Sequence, residues 1–404
     1  MGDPRAERLL SGRAWDDFCE TLKRAGRHIE RWEGVGLTEL DRAEWYRHLS
    51  RLARNGLERF VENCEPTRPR FRDIPWRTSI NVTCPDQDHL LAEFDAPRDY
   101  RITGTRGSAP YFVLAAWSAR QPADLAARDW AGRGAEGLAE FDPAQLETTA
   151  FLQSDAIEFD AAGNFEVIAS QEPRPGNWLP LRADSVGLLV RVVHHERARE
   201  RAPELSIERL DGLAPRALRP EELGAGLAKA AQMVLGYAEL ERAWWQDNLD
   251  ARPNRLRFSR ATYLSNGGVA DRHFAFGTWH RDPGEALVLH FTPPECEYWI
   301  FQLCNVWQEN LDSYEDGQGY LTKFTARHEP DGSVRVVVAD ADPGIGGNWL
   351  DPAGHEHGIM GLRLIQTRGQ PPVALYRVRL EVLRARGWDA LDPAQAIRSG
   401  EVTA

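Results

Sequence analysis

The chain has 404 residues, 42% of them hydrophobic and 27% charged, with a formal net charge of −12. The length exceeds one ordinary core and predicts two domains, while the apolar share excludes a disordered chain. The acidic balance excludes a general binder of nucleic acid or of anionic membrane surface, because polyanions are repelled at long range.

Residues Met1 to Arg8 contain no apolar run, so no secretory leader is expected, and no stretch reaches the roughly 18 apolar residues of a membrane span. The five cysteines, Cys19, Cys64, Cys84, Cys296 and Cys304, are scattered without a CxxC pair. That pattern predicts free thiols in a reducing, cytoplasmic setting. Three of the 49 basic residues are Lys (Lys23, Lys229, Lys323), which leaves few candidates for Schiff-base chemistry.

The first 65 residues read as a helical hairpin. Trp15, Phe18, Leu22, Ile29 and Trp32 recur mostly at three- and four-residue spacing, as one apolar stripe requires. After Gly34-Val-Gly36, Thr38 is placed to cap a second helix with Asp41 in its first turn, and Pro66 and Pro69 end it. From about Trp76 short β-branched and aromatic runs predict antiparallel strands: Ile80 to Thr83, Tyr100 to Thr103, Tyr111 to Leu114, Phe151-Leu152, Phe165 to Ile168 and Gly187 to Val193. Pro220 to Leu249 reads as a helix with Glu221 and Glu222 at its positive end. A second strand-rich region follows Pro253, and the polar tail beyond about Leu383 is expected to be peripheral.

The two strand-rich regions repeat each other. Phe159 to Ile168, Pro175-Gly-Asn-Trp-Leu-Pro180 and Gly187 to Val193 match Glu329 to Val337, Gly346-Gly-Asn-Trp-Leu-Asp351 and Ile359 to Ile365, in the same order. The spacing from Asn177 to Arg191 is 14 positions, and that from Asn348 to Arg363 is 15. One four-residue match arises by chance, but an ordered set argues for two copies of one β unit. Strands that do not alternate with helices exclude a parallel α/β fold and favour a sandwich or jelly roll. The expected fold is mainly β with helical additions: an N-terminal helical hairpin over 1–70, a first β-sandwich over 71–215, a helical linker over 216–252, a second β-sandwich over 253–385 and a tail over 386–404.

Gly277 to His290, Pro293 to Trp299, Trp307, Asp331-Gly-Ser-Val334, Asp342-Pro-Gly344, Asn348 to Asp351, Gly354-His355, Gly358 and Arg363 together resemble the bacterial family known as domain of unknown function 1214. The first copy resembles its partner module, the 1254 type, through Pro85 to Leu90, Tyr100 to Gly107 and Tyr111. The resemblance implies a jelly-roll-like fold and no settled activity. His355 sits at a recurring position of that family; His357 does not.

The densest polar cluster is Asp351-Pro-Ala-Gly-His355-Glu-His357. His355 and His280 are the candidate proton-transfer residues. Two histidines two apart on an extended segment face one way and could reach a metal with Asp351 or His280, but a surface pair near a turn is the commoner outcome, and no metal or cofactor is assigned. Arg363, matched by Arg191, could hold an anionic ligand group or pair structurally. Trp299, Trp307, Trp349, Asn348 and Asn310 are the candidate pocket residues, with core packing as the default for tryptophan. Trp307, set among Asn305, Gln308, Asn310 and Asp312, is expected nearest a pocket rim. No nucleophile elbow, Walker loop or dinucleotide fingerprint occurs. The expectation is a soluble bacterial protein that binds a small organic molecule and acts on it by acid/base or hydrolytic chemistry, without nucleic-acid or membrane partners and with homo-oligomerisation left open. Two other readings stand beside it: a non-catalytic module for a carbohydrate or hydrophobic metabolite, and a structural or oligomerisation protein.

Overall fold

The computed structural model describes residues 3–32, 34–63, 65, 67–73, 82–94, 98–119, 146–214, 216–250, 253–258, 272–311 and 319–401. It begins with helices α1 (Pro4–Leu10), α2 (Arg13–Arg27) and α3 (Glu39–Leu57), the last running into one π turn. Thr38 caps α3 as expected. Its hydroxyl accepts from the Asp41 amide at 3.1 Å, while the Asp41 carboxylate accepts from the Thr38 amide at 2.8 Å. Phe18, Ile29 and Trp32 of the expected stripe are buried, but Trp15 is 55% exposed.

The first strand set is β1 (Arg72–Asp73), β2 (Gln87–Glu93), β3 (Tyr100–Thr105), β4 (Tyr111–Ala119), β5 (Leu146–Gln153), β6 (Asn164–Ser170), β7 (Trp178–Pro180), β8 (Ser185–Val193) and β9 (Glu204–Arg209). Helix α4 (Pro220–Asp250) leads to the second set. That set is β10 (Arg257–Phe258), β11 (Arg272–His280), β12 (Glu285–Phe291), β13 (Tyr298–Cys304), β14 (Tyr320–Thr322), β15 (Val334–Val338), β16 (Asn348–Leu350), β17 (His357–Ile365) and β18 (Val373–Arg379). Of the strand expected at Ile80 to Thr83, Ile80 and Asn81 lie outside the described residues. Val82 takes a left-handed φ of 54° and belongs to no strand.

The strand orders are the same in both sets. β1-β2-β8-β4-β5 corresponds to β10-β11-β17-β13-β14, and β7-β6-β3-β9 to β16-β15-β12-β18. Pairing is antiparallel within each set except for β6 with β7 and β15 with β16, which are parallel in both. The Asn-Trp corners repeat atom for atom. Asn177 donates to the carbonyls of Glu158 and Glu166 and accepts from the Glu158 amide. Asn348 donates to Arg327 and Arg335 and accepts from the Arg327 amide. The doubling read from the sequence is therefore present in strand order, in pairing sense and in corner geometry.

Each set buries one apolar cluster drawn from both of its sheets. Phe112, Leu114 and Val190 meet Ile102, Phe165 and Val167 in the first; Trp299, Phe301 and Leu362 meet Leu289, Val336 and Leu375 in the second. The helices cover the outer face of the second set: Trp45, Met233 and Trp244 pack with Phe274, Phe276 and Trp307. The tail is not peripheral. After α5 (Leu380–Arg386), β19 (Ile397–Arg398) pairs with β18 and β20 (Gly400–Glu401) pairs with β10, one addition to each sheet of the second set. Among the described residues no helix is long and apolar enough to cross a membrane.

Candidate functional site

The polar cluster forms where α3 meets the loop before β17. Ala353 and Gly354 both take left-handed φ, 52° and 82°, and this tight reversal turns His355 toward α3. Strand β17 then starts at His357. Gly358 lets it lie close to β13, since a Cβ there would stand 2.1 Å from the Cys304 carbonyl oxygen. Helix α3 presents Asp41, Glu44, Trp45, His48, Leu52 and Asn55 as its buried face, at helical three- and four-residue spacing.

The two histidines reach two different carboxylates. His355 Nε2 lies 2.9 Å from Glu44 Oε2, and its Nδ1 lies 2.9 Å from the Pro352 carbonyl oxygen. His357 Nε2 lies 3.0 Å from Asp41 Oδ2. Positions i and i+3 of a helix thus face a loop residue and the first residue of the strand that follows it. All four side chains are buried. Glu44 also accepts from Arg47 at 2.6 Å and from Asn305 at 2.9 Å. Burial opposes a charge on His355, but the Glu44 carboxylate outweighs it and holds the imidazole above its ordinary pKa. Burial works against Asp41 as well, yet His357 and Thr38 keep it below the usual carboxylate range.

A second buried group lies one turn along α3. His48 sits between Glu241 and Glu309, at 2.8 and 3.1 Å, and Arg51 lies 3.0 Å from Glu309. Burial disfavours the imidazolium, but the two carboxylates push His48 up to about 10. This ion group ties α3 to α4 and to the loop after β13.

The other predicted residues are dispersed. His280 pairs with His357 across the β11–β17 ladder, its ring 6.4 Å from that of His357, and is 39% exposed in its side chain. Burial, then Arg377, lowers its pKa, which favours a neutral imidazole. Arg363 pairs with Phe274, six ladder positions from the His280–His357 pair, or roughly 20 Å along the strand. There it stacks on the Phe274 ring and donates to the Val82 carbonyl. Asn310 donates to Thr83 at 2.7 Å, near that same segment.

Of the expected pocket tryptophans, Trp307 and Trp299 are packed and Trp349 is half-buried. Trp307 is fully buried, its ring 4.7 Å from Trp32 and 4.6 Å from Trp45, with its Nε1 donating to the Asp41 carbonyl at 2.9 Å. Asn305 and Gln308 beside it form a buried turn, and Asp312 lies outside the described residues. Trp299 is 1% exposed and meets Phe291 edge-on in the inter-sheet cluster. Trp349 donates to the Ala339 carbonyl and Asn348 holds its corner, as their counterparts do in the first set. Asp351 accepts from the Ala353 amide and shapes the loop. Two described cavities, one beside Phe18 and Gly224 and one beside His195 and Phe324, include none of the candidates.

This doubled arrangement, with a helical cover on its second half, defines a class of bacterial protein already seen in a solved structure. The chain belongs to the same family as an uncharacterized protein from Burkholderia cenocepacia, with 33% identity, a TM-score of 0.82, and coverage of 94% of this chain and 100% of that one. A Vibrio parahaemolyticus protein, VPA0106, is 12% identical with a TM-score of 0.44, over 81% of this chain and 97% of that one, too remote to place the fold. No family model matches the chain, and no curated protein does.

Proposed function

We propose that the chain binds a small organic molecule at the His355–Glu44 and His357–Asp41 cluster and moves a proton on it, with His280 as the group that meets solvent and substrate. One observation carries this reading. Strands β8 and β17 both begin six residues before their matched arginines, so His357 falls on Ser185 and His355 on Ala183. The scaffold is doubled, but the histidines and their carboxylate partners are not. Shared features such as the Asn-Trp corner serve architecture; features kept in one copy are free to serve chemistry. In the same reading each half is a β-sandwich with the boundaries set out above, the second of the 1214 type and the first of the 1254 type, in a protein of the bacterial cytoplasm.

A thermal-shift screen of the full chain against small organic molecules, followed by a co-crystal of the best stabiliser, tests this. The expected compound lies within about 3 Å of His280, and its shift is lost in His280→Ala and Glu44→Gln. A compound seated elsewhere, with both variants responding like the wild type, overturns the proposal.

A structural reading has support of its own. The Trp32–Trp307–Trp45 cluster, edge-on and tilted, and the His48 ions weld the helices to the second strand set. Under it, His280→Ala changes neither stability nor any ligand response. The carbohydrate reading is weaker, because Trp279, Trp299 and Trp307 are buried and leave the half-buried Trp349 alone of that group for a sugar to stack on.

A further inference from the structure

We infer that Asp41, Glu44, His355 and His357 form a binding site for one divalent cation of the zinc, ferrous iron or manganese class. The inference rests on this cluster being the functional one and adds the ion that would organise it.

Three observations on geometry support it. One ligand atom each from Asp41, Glu44 and His355 lies within 4.8 Å of the other two. Metal bonds of about 2.1 Å place tetrahedral ligand atoms roughly 3.4 Å apart, so small side-chain rotations close the set. Next, His355 carries the second contact typical of a ligating histidine. Its Nδ1 faces the Pro352 carbonyl, so in the neutral ring the proton sits on Nδ1, and Nε2, which donates to Glu44 while the ring is protonated, becomes free to ligate an ion. Finally, the buried His357 Nε2 lies 3.0 Å from Asp41 Oδ2 but at an angle that makes no hydrogen bond. That buried, unpartnered nitrogen is the fourth donor available beside the three-residue group.

The outer contacts fit as well. Thr38 donates to Asp41 at 2.7 and 2.8 Å, and Arg47 and Asn305 hold Glu44. Two carboxylates cancel the charge of a divalent ion, and two imidazoles then bind in their neutral form. A mixed nitrogen and oxygen set suits borderline metals over calcium or magnesium, which prefer oxygen alone. All four side chains are buried, as an ion site permits, while the half-exposed His280 stands beside them on the solvent side.

The test uses the full chain, purified without chelator or affinity metal. Elemental analysis is expected to find close to one zinc, iron or manganese per chain. After chelation, calorimetric titration with zinc chloride, manganese chloride or anaerobic ferrous sulfate is expected to restore one site. His355→Ala, His357→Ala and Glu44→Gln weaken that affinity by on the order of 100-fold, while Asn177→Ala leaves it unchanged. Circular dichroism confirms that each variant folds, and His355→Gln replaces His355→Ala if the latter does not. Absence of metal together with absence of binding heat overturns the inference, as does wild-type affinity in both histidine variants. A metal-free protein that still binds an organic compound beside His280 overturns the ion site and leaves the proposed function standing. A bound ion with no organic ligand supports the ion site and counts against that function.

Discussion

Asp86 shows what one buried acid does at the contact between the two strand sets. The Tyr298 hydroxyl of β13 donates to it, and Tyr320, Arg197 and His194 lie around it. Burial raises its pKa from 3.8 to about 6, against the opposing pull of Tyr298, Arg197 and His194. A carboxyl with a raised folded-state pKa stabilises most below its unfolded value, and that contribution is lost as pH rises through about 6. A shift of this size corresponds to at most about 3 kcal/mol. Asp86→Asn is therefore expected to raise the unfolding temperature at pH 8 and to change it little at pH 4. Thermal unfolding at the two pH values checks this; an equal change at both would contradict it. The residue itself was visible in the sequence only as part of a resemblance motif, because no local pattern marks an acid that a distant tyrosine will cover.

At the scale of elements, the Asn-Trp corners give a paired experiment. Each Asn makes three backbone hydrogen bonds that tie its short strand to the hairpin before it. Losing them leaves backbone groups unpaired at about 1–3 kcal/mol. Asn348→Ala is expected to cost more than Asn177→Ala, because Asn348 is buried and Asn177 only half-buried. Denaturant unfolding of both single variants and the double measures this, and additive losses are expected for corners in separate strand sets. These corners were legible as a repeated Gly-Asn-Trp-Leu string, but the bonds of each Asn run back to the preceding hairpin and not to its own turn. Helix α3 was legible in its cap and its length, but not in its inner face. Beside Trp45 and Leu52, its buried face includes Asp41, Glu44, His48 and Asn55. The helical spacing of Asp41, Glu44 and His48 was the available signal, but the partners that explain their burial, Glu241 for His48 and His355 for Glu44, lie more than 190 positions away. The same distance effect misplaced Trp307: its polar neighbours suggested a rim, and two tryptophans from the N-terminal helices cover it.

For the whole molecule, doubling explains the frame and asymmetry explains the site. Both halves share strand order, pairing and corners, so the sequence repeat carried over into topology. The helical hairpin and α4 then pack mainly on the second set, although Arg59 pairs with Glu93 of β2, and α3 brings two carboxylates to two histidines that the first set lacks. The tail also goes to the second set, adding a strand to each of its sheets. That asymmetry could not be read from the repeat, because it depends on which half the helices choose. The measurement that bears on it most directly is calorimetric binding of the best compound from the ligand screen to the wild type, Glu44→Gln and Asn177→Ala. The account predicts that Glu44→Gln loses binding by at least about tenfold while Asn177→Ala, a corner variant of the half without the histidines, binds like the wild type. Equal affinity in all three would contradict a site completed by α3.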